Sequence, residues 1–218
     1  MPLSQPAICS TMLELNNLHP EFGVEILGID LSMALEPNDF AQIELALERS
    51  SLVLFRNQVF DDDSQVAFSR RFGELEYDHV AYGRERKIRY IGYIGNVDEH
   101  GKQRGASHEQ VVFSTGNEMW HSDSSFRPVP TRFSISYAYE VTLDGGELEF
   151  VSTRSAYARL ADETKEKIEN LVAIHDYVYS RSKVGPNAVT PSHAASLPPV
   201  PQRLVRHNPV TGEKNYYV

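Results

Sequence analysis

A strict alternation of apolar and polar residues is the clearest pattern in the chain. From Phe133 to Val141 every second residue is apolar or aromatic, and most residues between them are small or polar. Side chains of a β-strand point alternately to opposite faces, so this stretch predicts a strand with one buried face. An Asp144-Gly145-Gly146 turn follows, and residues 147–152 then predict the second strand of a hairpin.

The rest of the chain mixes short extended and helical patterns. Further strands are predicted at 24–29, 51–55, 88–94 and on both sides of a turn within 203–218. Helical spacing of apolar residues predicts helices at 36–49, 61–72 and 161–171, and a proline-rich loop is expected at 186–201. Many short strands with few helices indicate a mixed α/β, β-rich fold, with a closed or sandwiched β core and outer helices.

Composition narrows the class of protein. The 218 residues carry a net charge of −9, and the basic residues are dispersed, which argues against a nucleic-acid binder. The single cysteine, Cys9, excludes an internal disulfide and suits a reducing compartment. No apolar run approaches the ~18 residues that span a bilayer. We therefore expect a cytoplasmic protein that binds neither membrane nor nucleic acid.

Candidate chemistry lies just before the alternating stretch. His121 and Asp123 are separated by one residue, so on an extended backbone they point to the same face, while Trp120 points away and is expected to pack in the core. An imidazole and a carboxylate, joined by a second histidine, form the 2-His-1-carboxylate triad of non-haem Fe(II). A structural polar pair is the alternative for such a short motif.

Longer blocks of sequence identify a family. The segment Trp120-His121-Ser122-Asp123-Ser124-Ser125-Phe126 resembles the metal-binding segment of the taurine dioxygenase / 2,4-dichlorophenoxyacetate dioxygenase family of Fe(II)- and 2-oxoglutarate-dependent oxygenases. Blocks at 18–31, 52–58, 68–75, 145–150 and 204–212 are similar to the family in the same order. The resemblance implies a double-stranded β-helix, or jelly roll, with flanking helices over residues 18–218, preceded by an N-terminal tail at 1–17.

The resemblance also implies an activity. Fe(II) would be held by His121, Asp123 and a distal histidine, with 2-oxoglutarate as co-substrate. Oxygen would convert 2-oxoglutarate to succinate and CO2 while a small, anionic organic substrate is hydroxylated. The protein's part in such chemistry is to supply open coordination positions, orientation and a dry pocket.

Two departures from the family pattern stand out. The distal histidine and the arginine for the outer 2-oxoglutarate carboxylate are expected beyond the 204–212 block, so the oxygenase domain is expected to be C-terminally truncated. His207 is out of register for a ligand, and His175 and His193 are expected to be solvent-exposed. Leu148 stands where the family commonly has a threonine that binds 2-oxoglutarate. Leucine cannot donate that hydrogen bond, so we expect weaker binding of the co-substrate.

Three further residues match family positions near the active site. Asn117 is expected to line the site, or alternatively to cap local backbone. His79 and Tyr82 resemble substrate-contacting residues, or alternatively belong to a mobile lid. Besides the oxygenase, two hypotheses stay open: an inactive jelly-roll remnant that binds a ligand or forms a homo-oligomer, and a hydrolytic or storage role for another divalent metal.

Overall fold

The structure, a computed structural model, describes residues 12–77, 90–98, 100–185 and 188–218. Cys9, His79 and Tyr82, whose roles are predicted from the sequence, lie outside the described residues. The strands are β1 (Glu14–Asn17), β2 (Val24–Leu27), β3 (Val53–Leu54), β4 (Val172–His175), β5 (Val200–Arg203), β6 (Val205–His207) and β7 (Lys214–Tyr216). The helices are α1 (Pro37–Ser50), α2 (Asp62–Arg70), α3 (Glu109–Ser114), α4 (Thr153–Ala158), α5 (Asp162–Ile168), α6 (Tyr177–Ser182) and α7 (Pro191–Ser196), with a 3₁₀ turn at Thr115–Glu118.

The main core lies between a small sheet and the first two helices. Strand β2 pairs antiparallel with β1 and parallel with β3, so the sheet begins within the stretch assigned to the N-terminal tail. Val24 and Ile26 of β2 are buried against Phe40 and Ile43 of α1. Phe68 of α2 completes the cluster through edge-to-face contacts with neighbouring phenylalanines, a favoured geometry for aromatic pairs. The phenylalanines in contact with Phe68 are Phe40, Phe55, Phe60 and Phe72.

The alternating stretch 133–141 covers this core without forming a strand ladder. Ile135 and Tyr137 are half-buried against the core, and half-buried Phe133 packs on Phe72. Ser134 and Ser136 are exposed, so the predicted two-faced burial is confirmed over this part. The predicted strand and its hairpin partner at 147–152 are wrong, because neither has β-pairing in the described part of the chain. Alternation reports which face is buried, while a ladder also requires a neighbouring strand.

Other predictions are tested by the same elements. The predicted helices at 36–49, 61–72 and 161–171 correspond to α1, α2 and α5, and the C-terminal strand-turn-strand corresponds to β6 and β7, which pair antiparallel. The strand prediction at 88–94 fails for residues 90–94, which form none. The loop prediction at 186–201 is wrong for residues 191–196, which form α7, and for residues 200–201, which belong to β5. Thr190 caps the His193 amide at the start of α7, and Pro191 fits a first helical turn.

No helix in the described ranges has the length and apolar character needed to cross a membrane. The longest of the helices, α1, has 14 residues.

Glu48 joins three distant parts of the fold. Its side chain is buried on α1 and forms an ion pair with Arg132, which precedes the alternating stretch. Its second oxygen accepts a hydrogen bond of 2.8 Å from the Asn208 side chain, just after β6. A buried carboxylate with both oxygens satisfied fixes the positions of its partners.

Replacing Glu48 is expected to destabilise the protein through these lost bonds. Glu48→Ala removes a charged and a neutral hydrogen bond, so we expect the free energy of unfolding to fall by about 2–3 kcal/mol. Glu44→Ala is the matched control, because Glu44 lies 3.9 Å from Arg132 and is much more exposed; its cost should stay within about 1 kcal/mol. Urea denaturation measures both, and equal effects of the two variants would contradict this role for Glu48.

Candidate functional site

A cavity of about 1090 Å³ lies beside the alternating stretch. Its wall includes the end of α2, the 3₁₀ turn after α3, the loop from Met119 to Pro130, and helix α6. Residues His121 and Asp123 both belong to this wall. The motif identified from the sequence therefore faces a space large enough for a small organic molecule.

The His121 and Asp123 side chains meet at one point of the cavity wall. The distance from His121 Nε2 to Asp123 Oδ1 is 3.3 Å. The other ring nitrogen, Nδ1, lies 2.6 Å from the Met119 carbonyl oxygen, which can only accept, so Nδ1 carries a proton and donates it. In the neutral ring, Nε2 is then an acceptor and faces the acceptor oxygen of a carboxylate.

This arrangement fits a metal ion. Two facing acceptors repel each other unless a cation, either a proton or a metal, lies between them. If each metal–ligand bond is ~2.1 Å long and the two bonds meet at roughly a right angle, the two ligating atoms lie about 3 Å apart. This is close to the observed separation. The Nδ1 bond to a backbone carbonyl is also the usual way in which a metal-ligating histidine is oriented.

The pair is electrostatically coupled when a proton occupies it. The hydrogen bond with Asp123 raises the pKa of His121, opposed by burial and by the nearby charge of Arg181. The same bond lowers the pKa of Asp123, and the Ser134 hydroxyl lowers it further. Ser134 comes from the exposed face of the alternating stretch, so that face contributes to the site.

Glu76 holds the loop that follows Asp123. Its carboxylate accepts a hydrogen bond from Ser124 Oγ at 2.9 Å, an ion-pair bond from Arg127 Nε at 2.5 Å, and a third bond from the Thr131 hydroxyl. Ser124 has a φ of 55°, a left-handed conformation that is uncommon for residues other than glycine. The Glu76 bonds offset this local cost and fix the exit of the backbone from Asp123.

The structure brings together some of the other predicted residues and not all. Asn117 lies in the 3₁₀ turn on the cavity wall, and its side-chain oxygen accepts a hydrogen bond of 2.8 Å from Arg181. Leu148 is 75% exposed and does not line the cavity. The expectation that Trp120 packs in the core was wrong: it is 65% exposed and lines the cavity, because its backbone is not a regular strand.

The remaining histidines differ in burial. His207 is exposed, whereas the expectation of exposure was wrong for His175, which is buried in β4 and stacks on Tyr217 at 5.2 Å. Burial lowers the pKa of His175. His193 is half-buried and packs against Tyr177. Across the described ranges, no third histidine, cysteine or acid joins His121 and Asp123 in a metal-binding cluster.

Sequence reasoning missed three residues that shape the site. Ser134 could have been found, because it lies on the face opposite the buried one in the alternating stretch. Glu76 and Arg181 carried no local signal, since their roles depend on contacts 48 and 64 residues away in the chain, with Ser124 and Asn117.

The chain is similar to known proteins in both sequence and overall structure. An alpha-ketoglutarate-dependent 2,4-dichlorophenoxyacetate dioxygenase of Burkholderia sp. (strain RASC) is 32% identical over 92% of this chain and 69% of its own length. A dioxygenase of the same description from Cupriavidus pinatubonensis is 34% identical over 93% of this chain and 72% of its own. The crystal structure of AAD-2 in complex with Mn(II) and N-oxalylglycine superposes with a TM-score of 0.84 at 34% identity, covering 95% of this chain and 71% of that one.

These likenesses confirm the predicted fold class, a mixed α/β, β-rich jelly roll with flanking helices. The relatives are alpha-ketoglutarate-dependent dioxygenases, as the sequence blocks indicated. Residues 14–218 match the family described as taurine catabolism dioxygenase TauD, TfdA, and the chain belongs to this family of 2-oxoglutarate-dependent dioxygenases.

Proposed function

We propose that the chain binds Fe(II) through His121 and Asp123 and acts as a 2-oxoglutarate-dependent dioxygenase on a small organic anion. The observation that carries the proposal is the pair of acceptor atoms, His121 Nε2 and Asp123 Oδ1, held 3.3 Å apart on the wall of a large cavity. When bound, Fe(II) with 2-oxoglutarate and O2 supplies the oxidising chemistry that hydroxylates a C–H bond and releases succinate and CO2.

The chain's own residues prepare the site for this chemistry. The Met119 carbonyl fixes the His121 ring so that Nε2 presents its lone pair to the cavity. Asp123 adds a negative charge that favours a divalent cation, and the Ser134 hydroxyl lowers the pKa of that carboxyl. Asn117 lies on the same wall, and we propose that it contacts the co-substrate or substrate. Aromatic side chains of the wall, such as Phe126 and Phe133, help to exclude water.

The proposed substrate class rests on charge. The relatives act on 2,4-dichlorophenoxyacetate, a carboxylate, and the cavity wall here includes Arg181, whose two hydrogen bonds go to neutral oxygens. We therefore propose an organic anion as substrate.

A second function is favoured by one observation. No third metal ligand joins His121 and Asp123 within the described ranges. A metal with only two protein ligands is held weakly, so the alternative is a jelly roll that binds a ligand with little or no turnover. Measuring binding and turnover separately distinguishes the two functions.

The first experiment uses the 218-residue protein with Fe(II) and 2-oxoglutarate under anaerobic conditions. The oxygenase proposal predicts a weak visible charge-transfer band, followed by succinate release when O2 and a substrate such as 2,4-dichlorophenoxyacetate are added. A band without succinate would favour the binding function. The absence of both the band and succinate would contradict the oxygenase proposal for this chain.

Substitution of either proposed ligand tests the metal site directly. We expect His121→Ala and Asp123→Ala to weaken Mn(II) binding, measured by calorimetry, by more than the roughly 10–100-fold that loss of an outer partner costs. His207→Ala is the matched control, because His207 is exposed and outside the cavity wall. If His207→Ala weakened binding as much as His121→Ala, the assignment of His121 would be wrong.

Substitution of Glu76 tests whether the loop after Asp123 must be held. Glu76→Ala removes the acceptor of three side-chain bonds, so the Asp123 carboxylate loses its fixed position, and we expect Mn(II) affinity to fall roughly 10–100-fold. Glu74→Ala removes the same charge from an exposed residue of the same wall and should leave affinity unchanged. A Glu76→Ala protein with unaltered affinity would show that the loop keeps its shape without this carboxylate.

A further inference from the structure

Arg181 of α6 is held against the turn that precedes the His121 motif. Its Nη2 donates to the Asn117 side-chain oxygen at 2.8 Å, and its Nη1 donates to the Phe113 carbonyl oxygen at 3.2 Å. The guanidinium also lies 4.6 Å from the centre of the Phe113 ring. These contacts fix a half-buried cation on the cavity wall.

The guanidinium of Arg181 packs directly against the backbone of Gly116. A Cβ atom placed on Gly116 would collide with Arg181 Nη1 and would lie only 3.0 Å from Val184 Cγ2. Gly116 is buried, so the guanidinium occupies space that only the absence of a side chain provides. Arg181 is therefore packed in a fitted position and is not a freely moving surface side chain.

In the part of the chain that the structure describes, no carboxylate balances the charge of Arg181. Arg127 and Arg132 of the same wall pair with Glu76 and Glu48. Both hydrogen bonds of Arg181 go to neutral oxygens, and no carboxylate lies within ion-pair distance among the residues that the structure describes. These bonds use two of the five N–H donors of a guanidinium, which leaves donors for a further partner.

A partly desolvated cation without a counter-ion favours an anionic ligand. A half-buried charge loses hydration, and an anion that reaches it restores part of that free energy. The planar guanidinium suits a carboxylate because two parallel N–H groups match its two oxygens.

We propose that Arg181 determines substrate specificity by binding the carboxylate of the organic substrate, and that Asn117 and Gly116 hold its guanidinium in place for this purpose. The inference rests on the proposed function and adds to it the residue that selects the anion. Neutral analogues of the same shape should gain nothing from Arg181.

Ligand binding measured without turnover tests this role. The protein is loaded with Mn(II) and N-oxalylglycine, which replace Fe(II) and 2-oxoglutarate, and is titrated with 2,4-dichlorophenoxyacetate or with the neutral 2,4-dichlorophenoxyethanol. Trp120, the single tryptophan of the chain, lines the cavity, so its emission reports binding. The wild-type protein should bind the carboxylate more tightly than the alcohol.

The variants separate charge recognition from folding. Arg181→Gln should weaken binding of the carboxylate roughly 10–100-fold and leave the alcohol nearly unchanged. Arg181→Lys should have an intermediate effect, since it keeps the charge and loses the two parallel N–H groups of the guanidinium. Gly116→Ala should also weaken binding of the carboxylate, because the added methyl group displaces the guanidinium. Lys167→Gln, an equal loss of charge from an exposed residue outside the cavity wall, should change neither affinity.

Three results would overturn the inference. The first is an equal loss of affinity for the acid and for the alcohol in Arg181→Gln, which would show a purely structural role. The second is a loss of affinity for N-oxalylglycine alone, which would assign Arg181 to the co-substrate. The third is a wild-type protein that binds Mn(II) and does not prefer the carboxylate. That last result would leave the proposed metal site standing, because Mn(II) binding is measured independently.

Discussion

The facing pair of His121 Nε2 and Asp123 Oδ1 is the constraint on which the site depends. Two acceptor atoms 3.3 Å apart repel each other, so the surrounding structure must hold them and a cation must separate them. The Met119 carbonyl orients the His121 ring, and the Ser134 hydroxyl lowers the pKa of the Asp123 carboxyl. Glu76 fixes the loop beyond Asp123, including the left-handed backbone of Ser124. The supporting contacts come from the same loop, from the alternating stretch and from the segment after α2.

The arginines of the cavity wall differ in whether a carboxylate neutralises them. Arg127 and Arg132 are neutralised by Glu76 and Glu48, and both pairs connect segments of the fold. Within the described residues Arg181 is held by neutral acceptors instead, and we propose that its charge is available to a ligand. The placement of carboxylates therefore distinguishes arginines that stabilise the fold from the one that we propose to act in recognition.

The sequence predicted features that depend on neighbouring residues. The i, i+2 spacing brought His121 and Asp123 together, and helical periodicity located α1 and α2. The alternation from Phe133 to Val141 correctly gave the buried face, yet failed to give a ladder, because pairing depends on a second strand that the pattern does not contain. Trp120 was misplaced for a related reason, since an irregular backbone does not keep the two faces of a strand. Arg181 and Glu76 act through distant contacts that no local pattern encodes.

The central claim is that a divalent metal lies between His121 and Asp123. The most direct test is anomalous diffraction from crystals of the protein loaded with Mn(II). The account predicts a peak about 2.1 Å from both His121 Nε2 and Asp123 Oδ1, with the Nδ1 contact to Met119 preserved. A fully bound metal elsewhere in the protein, with the two side chains still in direct contact, would contradict it.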